Sequence, residues 1–182
     1  GPLQTGVTVL RPHTGDPFLD RVPAAAVVLN GFGKSIGLVQ VEELGLLETP
    51  IALTNTFSVA TVAQAQIRQC MAANPETGRS LPTVNPLVFE CNDGFLNDIQ
   101  RMAITEQHYL HAWATAKANI AQGSVGAGRG MSSFGLKGGI GTASRCCADH
   151  TVGTLVLSNF GKLPQLIMAG EALGPLLAQR LA

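Results

Sequence analysis

The sequence predicts a mixed α/β (α+β) fold, and three observations carry that expectation. Short β-branched or apolar runs at 5–10, 51–57 and 151–158 read as strands. Between them, residues 59–74 place Val59, Val62, Ala63, Ile67, Cys70 and Met71 close to a 3.6-residue period, which marks an amphipathic helix. Strands and helices are intermixed along the chain, with no internal repeat and no linker long enough to divide it. The 182 residues are therefore expected to form a single domain.

Taken in order, Thr5–Leu10 alternates and reads as a strand, followed by a loop at Pro12, Gly15 and Pro17. Ala24–Leu29 is a continuous apolar run before Asn30-Gly31, the pattern of a buried strand. Gly33–Gly37 reads as a turn. Ser35–Leu46 reads as a helix with Ile36, Val39 and Leu44 on its apolar face. Ile51–Phe57 is the next strand. The helix at Val59–Asn74 stops at Asn74-Pro75. Pro86–Cys91 is a short apolar strand ended by Asn92-Asp93-Gly94, a turn signal. Thr105 is placed to cap a helix running to Gln122, with Gly123 just beyond it. Eight glycines fall in the nineteen residues from Gly123 to Gly141. Thr142–Cys147 and Thr151–Ser158 read as strands, and Leu163–Leu181 as a tail with little regular punctuation.

Composition narrows the function. Twelve basic and twelve acidic residues balance to no net charge, which argues against a general nucleic-acid or anionic-membrane binder. No apolar run approaches the roughly 18 residues of a membrane span. The opening Gly1-Pro2-Leu3-Gln4 carries no signal-peptide pattern. A cytoplasmic protein is expected, with the periplasm left open because the natural N-terminus is not seen. Only 13% of residues are charged, so much of the surface is expected to be covered by partner subunits or further chain. The four cysteines have no C-x-x-C spacing and read as small hydrophobes in a reduced protein.

Several familiar motifs fail. Gly33-Lys34-Ser35 lacks the glycine a phosphate loop needs at position 28, which is Val28. Gly126, Gly128 and Gly130 do not have dinucleotide-fingerprint spacing. His108 and His111 lack a metal-binding context, and His13 and His150 read as structural, so no metal and no cofactor are expected. There is no G-x-S-x-G elbow. Three stretches remain. Glu90 ends an apolar run, where a carboxylate is costly unless paired; it suits holding a ligand's ammonium group or a salt bridge to an arginine. The glycine-rich segment can present N–H groups to a ligand or form a tightly packed crossing. Asn159, straight after a strand, can donate to an oxyanion or simply form a turn before Gly161.

These stretches carry a resemblance. Val27-Val28-Leu29-Asn30-Gly31-Phe32-Gly33-Lys34-Ser35, Leu53-Thr54-Asn55-Thr56-Phe57, Glu90-Cys91-Asn92-Asp93-Gly94 and Gly128–Arg145 occur in the order found in the DmpA-type aminopeptidases. That family comprises the L-aminopeptidase/D-esterases and β-peptidyl aminopeptidases, and the likeness runs from about Thr5 to Leu173. It implies a four-layer αββα sandwich like that of the N-terminal-nucleophile hydrolases. It also implies a precursor that cuts itself into a large α chain, this one, and a small β chain whose N-terminal Ser is the nucleophile. By the same resemblance Asn159 holds the oxyanion and Glu90 receives the substrate's free amino group. Asn92 stands where relatives often carry an aromatic residue, in some a catalytic tyrosine. Lys137 takes no role from the family. The αβ units are expected to assemble further, as (αβ)4, and to act on small peptides, amides or esters. Family members usually have sequence before Thr5, and the cleavage point is expected a few residues beyond Ala182. The rival readings are an acyltransferase of the ornithine-acetyltransferase type and a non-catalytic binding relative.

Overall fold

Two apolar strands, Ile51–Asn55 and Leu87–Cys91, lie side by side in parallel, with Ile51 opposite Leu87 and Asn55 opposite Cys91. They belong to a computed structural model that describes Gly1 and residues 3–181. Pro2, within the opening tetrapeptide, and Ala182, from which the cleavage point was reckoned, lie outside the described residues. The elements are β1 (Thr8–Leu10), β2 (Val22–Pro23), α1 (Leu38–Leu44), β3 (Leu46–Leu47), β4 (Ile51–Asn55), α2 (Val59–Ala73) and β5 (Leu87–Cys91). They continue with α3 (Glu106–Ala114), β6 (Ser132–Ser133), β7 (Leu136–Lys137), β8 (Gly139–Cys147), β9 (His150–Ser158) and α4 (Leu173–Leu181). β1 joins the free side of β4 antiparallel, giving the order β1-β4-β5.

Strand alternation gives this sheet two apolar faces. Ala52 and Val88 point to one face, where they pack with Val59, Val62 and Ala63 of α2 and with Tyr109 of α3. Leu53 points to the other, against Ala127 and Ile140, with Leu155 and Leu157 packed alongside. On that same side Leu87 joins Val41 and Leu47. The result is a helical layer, a sheet and a second, two-stranded layer formed by the β8–β9 hairpin.

Several elements differ from the sequence expectation, each for a local reason. Ala24–Leu29 is not a strand. It forms no ladder, and Val27 and Leu29 are 79% and 92% exposed. An apolar run shows that a segment seeks burial; here Ala24 and Ala26 pack against Val41, Leu47 and Leu87, while no described residue covers Val27, Val28 and Leu29. α1 starts at Leu38 rather than Ser35, because Ile36 is drawn into a bridge with Val88, N–H to O 3.0 Å in each direction. Gly37 makes the break with φ +98°, where a Cβ would strike the Pro86 carbonyl. The strand expected to reach Phe57 ends at Asn55, whose Oδ1 accepts the Ser58 N–H at 3.0 Å and closes a 3-10 turn over Thr56–Ser58. α3 stops at Ala114, eight residues before Gln122. Thr115 ends it by donating its hydroxyl to the His111 carbonyl at 2.7 Å. The tail contains α4, and Pro175 lies in its first turn, where proline is tolerated.

Ile140 is the buried hydrophobic of the β8–β9 hairpin and its anchor to the sheet. Ile140→Ala is expected to cost about 2–5 kcal/mol in urea unfolding, the usual range for such a core truncation.

Candidate functional site

Glu90 sits near the carboxyl end of β5, opposite Thr54. Its carboxylate is half-buried and is held by two uncharged donors. Oε1 accepts the Lys34 backbone N–H at 2.9 Å, and Oε2 accepts the Thr56 hydroxyl. The Lys34 ammonium turns away, donating to the Phe32 carbonyl at 2.6 Å and lying 3.6 Å from the centre of the Phe32 ring. Among the described residues the ion pairs are Gly1–Asp98, Arg21–Glu48 and Arg68–Glu106, so the arginine partner considered for Glu90 is not found. Asn55 is buried and sets this arrangement. Besides closing the Thr56 turn, its Nδ2 donates to Thr5 Oγ1 at 2.8 Å.

The Asn159 amide lies just past β9 and spans two segments. Oδ1 accepts the Ser132 backbone N–H at 3.1 Å, and Nδ2 donates to the Asn92 carbonyl at 2.9 Å. These bonds fix which way the amide points, since a flipped amide would set acceptor against acceptor and donor against donor. They occupy one Nδ2 hydrogen; the second has no partner among the described residues. Asn159 is therefore tied to the residue two beyond Glu90. The Asn92 side chain is exposed and accepts the Gly94 N–H at 2.8 Å, closing its own turn. Asp93 is buried below, with Oδ1 accepting from Asn97 Nδ2 at 3.0 Å.

The glycine-rich segment is a packed crossing tied together at its surface by one cation. Lys137 Nζ donates to the carbonyls of Gly128, Met131 and Gly138 at 2.8–3.0 Å, which uses all three ammonium hydrogens. Desolvation lowers the pKa of this group. Lys137 thereby fixes the loop that presents the Ser132 N–H to Asn159. Sequence reasoning assigned roles to none of Lys34, Asn55, Thr56 and Lys137. Only Asn55 carries a readable signal, as a cap residue before a helical turn. Two of the histidines serve local structure: His108 Nδ1 accepts the Thr105 N–H at 3.0 Å, and His13 Nδ1 accepts the Gly15 N–H at 3.0 Å. No cluster of three or more His, Cys, Asp or Glu among the described residues could hold a metal ion, and no helix there is long and apolar enough to cross a membrane.

The layering and the gathering of polar groups at the carboxyl ends of parallel strands define a class. The structure superposes with a TM-score of 0.82 on the L-aminopeptidase D-Ala-esterase/amidase of Ochrobactrum anthropi, described as a variant of the Ntn hydrolase fold. The two are 28% identical, over 96% of this chain and 56% of that one. The fold is thus of the Ntn-hydrolase type. A β-aminopeptidase from Burkholderia sp. matches with a TM-score of 0.91 and 42% identity, over 97% of this chain and 51% of that one. The β-peptidyl aminopeptidase BapA of Sphingosinicella xenopeptidilytica is 38% identical over 179 residues, 96% of this chain and 44% of the relative. The family model described as Peptidase family S58 matches residues 1–182, and the chain belongs to that family. It spans about half the length of the relatives it matches.

Cys91 reports on this site. Burial pushes its thiol up to about 11, and the neighbouring Glu90 charge adds to the shift. At pH 8 only about one molecule in a thousand then carries the reactive thiolate. Ellman's reagent is expected to modify exposed Cys146 and Cys147 first. The Cys91 rate should rise steeply only toward pH 11, and Glu90→Gln should raise it at every pH below that.

Proposed function

We propose that this chain is the α chain of a self-processed serine aminopeptidase, forming with its β chain the single domain expected from the sequence. In this reading it recognises the free amino group of a short peptide, amide or ester. The observation that carries the reading is the Glu90 carboxylate, half-buried, oriented by two neutral donors and without a cationic partner among the described residues. Neutral donors position the charge without cancelling it, so a substrate ammonium is the group that completes the site. The names of the relatives, β-peptidyl aminopeptidase and β-aminopeptidase, fit a substrate with a free amine.

The chemical step then uses a Ser at the N-terminus of the β chain. Its Oγ attacks the carbonyl carbon after the first residue while its proton passes to the serine's own amine. Negative charge moves to the carbonyl oxygen, and the unused Nδ2 hydrogen of Asn159 donates to it. The intermediate collapses by returning a proton to the leaving amine or alcohol, and water releases the acyl group. Asn92 contributes through its main chain, whose carbonyl orients Asn159. Assembly into (αβ)4 is supported by the low charge content and by the exposure of Val27, Leu29 and Phe32 beside the site. Four unpaired cysteines favour the cytoplasm.

With the complete two-chain protein, Glu90→Gln is expected to lower kcat/KM on free-amine substrates by about 10²–10³-fold, the usual cost of removing one partner of a buried charge pair. Self-cleavage should continue. Asn159→Ala should lower kcat by about 10²–10³-fold with little change in KM. An unaltered rate for Glu90→Gln on free-amine peptides would remove the basis for the reading.

A further inference from the structure

The segment that runs from Gln4 into β1 lies against the end of β4 and is fixed there through its main chain. The Gln4 N–H donates to Asn97 Oδ1 at 3.0 Å, and the Gly6 carbonyl accepts the Thr54 hydroxyl at 3.4 Å. The same main chain is in close contact with the glycine-rich loop. A Cβ on Gly6 would lie 2.3 Å from the Gly126 carbonyl oxygen, and one on Gly130 would lie 1.9 Å from that of Gln4. Thr5 stands between these anchored residues, and its side chain carries a bond of its own: Oγ1 accepts from Asn55 Nδ2 at 2.8 Å.

Asn55 connects Thr5 to the carboxylate. It is 1% exposed, so water does not reach its amide. Oδ1 accepts the Ser58 N–H at 3.0 Å and closes the turn that carries Thr56, whose hydroxyl donates to Glu90 Oε2. Among the described residues Thr5 Oγ1 is the partner of Nδ2. Without that oxygen Nδ2 becomes a buried donor lacking an acceptor, a costly state that the amide relieves by turning. Turning brings Nδ2 toward the Ser58 N–H, donor against donor, and the turn that holds Thr56 opens. One of the two neutral donors on Glu90 is then lost, while the other, the Lys34 N–H, remains.

We propose that Thr5 is a positioning residue for Glu90. Through Asn55 and Thr56 it holds the carboxylate in the orientation that receives the substrate's ammonium group. Thr5 touches neither the substrate nor the reacting atoms. Its loss therefore weakens binding of the free amine and leaves the chemical step at Asn159 and the serine in place. The inference rests on the reading of Glu90 as the receptor for that amine.

The test is steady-state kinetics of the complete two-chain protein on an amino-acid p-nitroanilide with a free amine. Thr5→Val keeps the branched shape and removes the acceptor, while the bonds of Gln4 and Gly6 keep the segment in place. KM is expected to rise about tenfold with kcat changed less than about twofold. Thr5→Ser, which keeps the hydroxyl, is expected to restore KM. In a Glu90→Gln background Thr5→Val should alter kcat/KM less than about twofold, because the group it positions is gone. Self-cleavage into two chains reports that each variant folds. Should Thr5→Val fail to cleave itself, Thr5→Ala, which puts no methyl in place of the hydroxyl, carries the same expectation. An unchanged KM in Thr5→Val would overturn the proposal. So would a fall in kcat with KM unchanged, a Ser variant as impaired as the Val variant, equal effects of Thr5→Val with and without the Glu90 change, or loss of self-cleavage in both Thr5→Val and Thr5→Ala. An unaltered rate for Glu90→Gln alone would instead overturn the reading of Glu90, so the two failures are distinct.

Discussion

The parallel register of β4 and β5 is the constraint on which the rest of the structure depends. Ile51 opposite Leu87 places Thr54 opposite Glu90 and Asn55 opposite Cys91. The chain then turns at once into Thr56, whose hydroxyl meets the Glu90 carboxylate. A slip of one residue would send Glu90 to the opposite face, among the apolar side chains around Leu53 and Ile140. Both faces of the sheet are apolar, so what opposes that slip is the cost of placing the Glu90 carboxylate among those side chains, and the packing of the core and the position of the carboxylate are one requirement. Open α/β sheets commonly bind ligands at the carboxyl ends of their parallel strands, and the polar groups gathered here follow that rule.

A second linkage brings distant sequence to the same place. Asn159 joins the end of the β8–β9 hairpin to the turn after β5, and Ser132 joins the glycine-rich loop to Asn159. Lys137 holds that loop through three carbonyls, so a cation with no carboxylate partner among the described residues becomes part of the site's frame. Around this frame Val27, Leu29, Phe32 and Phe160 stand exposed. Exposed apolar side chains of this size are unusual on a monomer's surface when they form a continuous patch. The relatives this chain matches are about twice its length.

Much of this was legible in the sequence, and the failures have common physical causes. α2 and β5 were readable because a helix or strand against a core repeats its apolar residues with a fixed period, as Val59 to Met71 do. Glu90 and Asn159 stood out as polar residues at the ends of apolar runs, and the structure brings their segments together through Asn92. Ala24–Leu29 was misread because apolarity reveals a need for burial without naming the surface that provides it. The true partners of Glu90 were hidden for a different reason. One is the backbone N–H of Lys34, which leaves no mark in composition, and the other is a threonine hydroxyl delivered by a turn. The arginine considered in its place would have neutralised the group that the proposed chemistry needs. Lys137 gave no signal because its partners are main-chain carbonyls.

The central claim is that this chain is one product of a self-cut precursor, with the nucleophile on the other. Intact mass spectrometry of the purified full-length gene product under denaturing conditions tests it most directly. The account predicts two chains, the second beginning with Ser, whose masses add up to the precursor plus one water. A single uncut chain of precursor mass in active material would contradict it.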